Sequence, residues 1–182
     1  MTDPRPKLQF GDTIAYHGTG PFALGIRWKT NGWANHVGFA LAEDKILHAY
    51  IKDGLQVRGL ETVDGQPCAI FRPRIEGGFC PDTQARYMTW LDNEFKTSKP
   101  YDKWAIAGFI FGSWHNFLAS KSAWFCSEMN TASYQQCYYP LFNAFSDTGS
   151  QSPTSVAVNW RLKPIWHNLP KYLTDQLPLE WQ

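Results

Sequence analysis

The chain has 182 residues, of which 43% are hydrophobic, 16% aromatic and 18% charged, and its formal net charge is +1. That balance describes one globular domain with a full core, spanning residues 1–182, and excludes a disordered chain or two complete domains. A charge so close to zero gives no electrostatic reason to expect a phosphate backbone as partner, so nucleic acid binding is disfavoured.

The first elements are legible from turn and alternation signals. Gly11-Asp12 reads as a turn feeding a short strand, Thr13 to Tyr16, which Gly18-Thr-Gly-Pro21 ends. From Phe22 to Lys29 the apolar residues fit a strand or a short helix, and the helix is preferred. Asn35 to Leu41 and Lys45 to Ile51 form the clearest strand pair, a hairpin across the acidic tip Glu43-Asp44. Leu55 to Arg58 and Pro67 to Arg72 supply two more strands, giving a small antiparallel sheet.

The period then changes. From Pro81 to Lys96, Tyr87, Trp90, Leu91 and Phe95 fall at helical spacing, with Asp82 and Thr83 as candidate caps. Trp104 to Leu118, punctuated by Gly108 and Gly112, predicts a second helix. Phe125 to Tyr134 predicts a third, with Phe125, Met129 and Ala132 on an apolar stripe and Cys126, Asn130 and Ser133 on another, so that the sulfur faces away from the greasiest side. Beyond a polar loop from Phe145 to Pro153, Ser155 to Trp160 reads as a helical turn. The proline-bearing tail, Arg161 to Gln182, predicts a surface wrap with little regular structure.

Cys68, Cys80, Cys126 and Cys137 contain no C-x-x-C pair, which argues against structural zinc and thioredoxin-like chemistry. On one helix Cys126 and Cys137 stand about 16 Å apart, beyond the reach of a disulfide. All four read as free thiols. The N-terminus lacks an apolar signal region, and no uncharged run is long enough to span a membrane. A cytoplasmic location without membrane insertion is the expectation, with non-classical or phage-type export as the other route. No phosphate loop and no G-x-S-x-G elbow is present.

Within Ser122-Ala-Trp-Phe-Cys-Ser-Glu-Met129, Cys126 falls where an apolar run meets a helical pattern. In the first turn of a helix, unpaired N–H groups and the helix dipole favour a thiolate, which makes Cys126 the candidate nucleophile. A lone cysteine is more often a small buried hydrophobe. A thiol nucleophile also needs an imidazole to take its proton and a polar group to orient that ring, and His36 and His48 can fill those roles. His36, Gly38 and Ala40 share a small, open strand face, while Val37, Phe39 and Leu41 point into the core. The hairpin must cooperate. A two-residue turn at Glu43-Asp44 sends His48 to the opposite face, whereas a three-residue loop from Ala42 to Asp44 sets His36 against Tyr50 with His48 as its same-face diagonal neighbour. Two histidines without a third well-spaced ligand are weak evidence for a metal, and neither a metal nor a cofactor is expected.

Gly11-Asp12 opening a strand, Asn35-His-Val-Gly38, Leu47-His-Ala49, Lys99-Pro-Tyr-Asp102 and Phe125-Cys-Ser-Glu128 together resemble the circularly permuted papain-like cysteine hydrolases. This is the YiiX/YaeF-like branch of the NlpC superfamily, related to lecithin:retinol acyltransferase. The resemblance implies an α+β fold with a small antiparallel sheet packed against helices. It implies Cys126 as nucleophile, His36 as base, His48 in the variable third position and Tyr101 as a donor to a developing oxyanion. Many YiiX-like members carry glutamate at that third place, so histidine is a departure toward the acyltransferase side. The leading expectation is a hydrolase of an amide or ester, acting on peptidoglycan peptides or amino-acid amides. The alternatives are an acyltransferase or phospholipase-like enzyme, with Trp104, Phe109, Phe111, Trp114 and Phe117 lining an acyl pocket, and a non-catalytic binding module. The partner is a small-molecule, peptide or lipid substrate, and the oligomeric state stays open.

Overall fold

The structure, a computed structural model, describes residues 4–50, 53–97, 125–142 and 151–174. It is an α+β fold built on a six-stranded antiparallel sheet of order β4-β3-β2-β1-β5-β6. In chain order the elements are β1 (Thr13–Tyr16), α1 (Pro21–Thr30), β2 (His36–Ala42), β3 (Lys45–Tyr50), β4 (Gly54–Arg58), a 3₁₀ turn (Leu60–Thr62) and β5 (Cys68–Pro73). They continue with α2 (Pro81–Lys96), α3 (Cys126–Gln136), α4 (Pro153–Ala157), β6 (Leu162–His167) and α5 (Lys171–Thr174).

Strand alternation sorts the sheet into two buried faces. Ala15, Val37, Phe39, Leu47, Ala69 and Phe71 face the helices, where Tyr87 and Leu91 of α2, Met129 and Tyr134 of α3 and Val156 of α4 cover them. On the other side Ile14, Tyr16, Ala40, Ile46, Cys68 and Ile70 pack with Leu8 and Val63. The face expected to be open at His36, Gly38 and Ala40 is therefore closed over most of its length: Ala40 has no exposure, and only His36, at the strand's first position, is half-buried.

The hairpin reaches the register the site needs by another route than a three-residue loop. Ala42 pairs with Lys45 across the two-residue turn Glu43-Asp44, and a bulge at Leu41 then inserts one residue, so that Ala40 opposes Ile46 and Phe39 opposes Leu47. A bulge adds a residue to one strand and so changes its register. Carried along the strands, that register sets Gly38 against His48 and His36 against Tyr50. Gly38 is required there by space: a Cβ would lie 2.7 Å from Ile46 Cγ2 and 3.0 Å from His48 Cε1.

Gly11-Asp12 is a structural corner. Gly11 has φ +91°, a conformation that favours glycine. The fully buried Asp12 carboxylate accepts from Arg72 Nε at 2.9 Å and Nη2 at 2.8 Å, tying the entry of β1 to β5. Helix α3 is moored to this corner. Asn130 Nδ2 donates to Gly38 O at 3.1 Å, Asn130 Oδ1 accepts from Thr13 Oγ1 at 3.2 Å, and the Tyr134 hydroxyl donates to Gly11 O. Asn130 and Ser133, expected on a more polar stripe, are thus both buried against the sheet and α2, and Cys126 on that stripe is buried with them.

Helix α2 has the expected bounds, but its N-cap is Cys80 with Pro81 in the first turn, so Asp82 and Thr83 lie inside the helix and do not cap it. The preferred helical reading of Phe22 to Lys29 is α1, whose Asn31 closes it at φ 47°. The tail is the clear correction. Leu162–His167 is a sixth strand on β5, and Lys171–Thr174 a further helical turn. Proline suits an edge strand, where a lost N–H leaves no ladder unpaired. Here Pro164 stands opposite Phe71, beside the irregularity between Ile70 and Phe71. The second predicted helix, Trp104 to Leu118, lies outside the described residues, as does most of the predicted loop from Phe145. All four cysteines are free, and among the described residues no helix is long and apolar enough to cross a membrane.

Gly38→Ala is expected to cost about 1–3 kcal/mol, the range for forcing extra volume into a packed site, and to displace the His48 ring. Urea unfolding and the His48 imidazole NMR shifts measure the two effects; wild-type values for both would contradict the close approach.

Candidate active site

Of the residues singled out from the sequence, Cys126 and His36 reach one cleft at the end of the sheet, and His48 stands behind His36. The cleft has a volume of about 230 Å³, and both Cys126 and His36 line it, together with Tyr16, Asn35, Tyr50 and Thr62. Residues 36 and 126 come from remote parts of the chain. Strand β2 begins at His36 and helix α3 begins at Cys126, so each side chain projects from the first residue of its element.

Phe125 is the N-cap of α3, with extended φ and ψ, and its N–H reaches the Glu128 carboxylate at 3.4 Å. Glu128 thus anchors the helix start. Cys126 then occupies the first turn, where backbone N–H groups lack helical partners, and the N–H groups of Val37, Ser127 and Cys126 itself act on the sulfur and favour its thiolate. Burial acts the other way and is larger: Cys126 is 5% exposed and its thiol is pushed up to about 11. The expectation of a thiolate drawn out by the helix start is therefore corrected. Burial favours the neutral thiol of Cys126 at neutral pH.

The imidazoles are neutral for the same reason. His36 Nε2 lies 2.9 Å from His48 Nδ1, and the two rings are within 9° of parallel. Burial lowers His36 to about 4. His48, 1% exposed, is lowered to about 2 by burial first, then by the charges of His36 and Arg58. Tyr50 stacks on both rings, with centroids 5.2 Å from His36 and 5.0 Å from His48, and Tyr16 closes the other side at 5.5 Å from His36. Behind His48, its Nε2 is 3.4 Å from Thr62 Oγ1.

Tyr16 and Thr62 were not found by sequence reasoning, which placed Tyr50 and Asn35 beside His36 without giving either a role. Tyr16 enters because β1 pairs with β2 in the register that opposes it to His36, a pairing that no local pattern reveals. Thr62 belongs to a 3₁₀ turn that reads as ordinary loop. Asn35 was visible only as the residue before His36; its side-chain oxygen accepts from the Gly18 N–H and ties the end of β1 to the start of β2. Tyr101, the expected oxyanion donor, lies outside the described residues, as do the aromatic residues from Trp104 to Phe117.

The cleft wall holds both a buried thiol and an imidazole whose Nε2 is already engaged by His48. Among the described residues there is no group of three or more His, Cys, Asp or Glu side chains able to take a metal ion.

No family model matches the chain, and no curated protein matches it. Among solved structures it is similar to the crystal structure of metalloprotein YiiX from Escherichia coli O157:H7, DUF1105, with a TM-score of 0.64 at 17% sequence identity. The alignment covers 90% of this chain and 99% of that one. The chain shares the YiiX fold. At that identity the likeness speaks to fold alone, and it spans nearly the whole of both proteins.

The neutral imidazoles have a thermodynamic consequence. In the unfolded chain they protonate near the ordinary value of about 6.5, whereas the folded chain holds His36 and His48 neutral to about 4 and about 2. Below about 6.5 protons therefore bind preferentially to the unfolded chain, so stability present above that pH is lost as the pH falls. His17, also lowered by burial, acts in the same direction. Stability is expected to decline between about pH 7 and about pH 5, and less steeply in His48→Gln. Denaturant titrations across that range measure both slopes, and equal slopes would refute the role of His48.

Proposed function

We propose that the chain is a cysteine hydrolase of the papain-like, NlpC-type class, cleaving an amide or ester through an acyl-thioester on Cys126. The observation that carries this reading is that Cys126 and His36 line one cleft, with His48 hydrogen-bonded behind His36. The YiiX-like fold is compatible with it, and so is the chain order of histidine strand before cysteine helix.

With both partners neutral, the chemistry is general-base catalysis on demand. As a bound carbonyl approaches, the Cys126 sulfur bonds to its carbon and the Sγ proton passes to His36. The negative charge that develops on the carbonyl oxygen meets backbone N–H groups at the start of α3, the environment that suits an oxyanion. The intermediate collapses, the bond to the amine or alcohol breaks, and His36 returns the proton to the leaving group. Water, deprotonated by His36, then attacks the thioester carbon and releases the acid and the free thiol. His48 holds the His36 ring in place throughout, and Tyr50 and Tyr16 restrict its rotation.

YiiX is described as a metalloprotein, and a metal is not part of the reading for this chain. His36 Nε2 and His48 Nδ1 are engaged with each other, and no third ligand stands beside them among the described residues.

A second reading, acyl transfer to an amine or alcohol, is favoured by the apolar wall of the same cleft. Phe22, Ala23 and Ile26 of α1 line it, and Phe22 is 59% exposed at its mouth. An acyl chain fits such a wall as well as a peptide side chain does. The acyl-enzyme is common to both readings, and the acceptor distinguishes them.

Incubation with short activated esters, peptidoglycan fragments and acyl-lipids is expected to leave an acyl mass on Cys126, absent in Cys126→Ala. His36→Gln is expected to slow acylation by roughly 10²–10⁴-fold, the usual contribution of a general base. Intact-protein mass spectrometry reads both effects; labelling of another cysteine, or acylation undiminished in the variants, would overturn the assignment.

A further inference from the structure

His48 has one partner at each ring nitrogen: His36 Nε2 at Nδ1 and Thr62 Oγ1 at Nε2. A neutral imidazole carries a single proton, so one nitrogen donates and the other accepts. Which one is decided by Thr62. Its hydroxyl has one proton and three neighbours: Gly59 O at 3.0 Å, Tyr16 Oη at 3.3 Å and His48 Nε2 at 3.4 Å.

A carbonyl oxygen can only accept, so the Gly59 contact is a hydrogen bond only when Thr62 donates to it. Tyr16 and His48 can each donate instead. One arrangement makes every contact a hydrogen bond: Thr62 donates to Gly59 O and accepts from both Tyr16 and His48. Burial pushes the Tyr16 phenol upward, so it keeps the proton it must donate. The Thr62 hydroxyl is itself fixed by local backbone, because the Thr62 N–H also bonds to Gly59 O, and the Gly59 N–H donates to Glu61 Oε1 at 3.0 Å.

With its proton on Nε2, His48 presents a bare Nδ1 to His36. That nitrogen accepts only if His36 carries its own proton on Nε2. The lone pair of His36 is then left on Nδ1, the nitrogen His48 does not occupy.

We infer that Thr62, held by the Gly59 carbonyl, is a positioning residue that fixes the tautomers of His48 and His36 in series and leaves His36 Nδ1 as the basic nitrogen. The catalytic consequence rests on the cysteine hydrolase reading, but the tautomers themselves do not. In that reading, Thr62 determines that the nitrogen available to the thiol is a proton acceptor. Removing the Thr62 oxygen reverses the series. His48 no longer has an acceptor at Nε2, moves its proton to Nδ1 and donates to His36 Nε2, and His36 then carries its proton on Nδ1, where it cannot take one from Cys126.

Long-range ¹H–¹⁵N correlation spectra of the ¹⁵N-labelled full chain at neutral pH read each tautomer directly. Wild type is expected to show Nε2–H on both His36 and His48, Thr62→Val to lose that pattern, and Thr62→Ser, which keeps the hydroxyl, to restore it. In acyl-enzyme kinetics, T62V is expected to lower kcat by about 10–100-fold, a part of the roughly 10²–10⁴-fold general-base contribution, with KM near wild type and recovery in T62S. An Nδ1–H proton on either ring in wild type overturns the inference even if T62V does not fold, and unchanged tautomers in a folded T62V overturn it as well. The expected tautomers in a chain that acylates no substrate support the inference and remove the hydrolase reading.

Discussion

The register of β2 against β3 is the constraint on which the site depends. One residue of slip would place the His36 and His48 side chains on opposite faces of the sheet, because strand side chains alternate with a period of two. The bulge at Leu41 supplies the residue that the two-residue turn at Glu43-Asp44 leaves out. Neither turn residue adopts positive φ, so the tip lacks the twist of the primed hairpin turns, and a bulge beside it both increases local twist and re-aims the side chains of the adjoining strand. Gly38 completes the device. Its missing side chain is the space that the His48 ring occupies.

The second half of the site is held from the opposite face. Helix α3 is bound to the sheet by polar contacts in an otherwise apolar layer: Asn130 to Gly38 and Thr13, and Tyr134 to Gly11 and Thr13. Buried polar groups of this kind are costly when unpaired and specific when satisfied. They fix how far the helix slides along the strands. Since Gly38 both receives Asn130 and makes room for His48, the position of the cysteine helix and that of the histidine pair are referred to the same residue.

Burial, more than any charge, sets the protonation states of the cleft. Cys126 is raised and both histidines are lowered by desolvation as the largest cause. Helix-start N–H groups oppose this at the sulfur but do not outweigh it. The result is a site of neutral polar groups, in which hydrogen-bond direction carries the information that charge carries in a more solvated site. Thr62, Tyr16 and the Gly59 carbonyl thereby acquire weight out of proportion to their distance from the sulfur.

Alternation and helical spacing in the sequence by themselves determined the first five strands, the bounds of α2 and a helix starting within a residue of Cys126, because those patterns record which faces must be buried. They also singled out Cys126, His36 and His48 by residue type and order. Prolines misled at Pro164, since an edge strand tolerates what a central strand does not. The tertiary structure alone decided the bulge that unites the two histidines, the pairing that brings Tyr16 beside His36, the 3₁₀ turn that presents Thr62, and the burial that keeps the thiol protonated. Each of these depends on contacts between residues distant in the chain, and local periodicity carries no record of them.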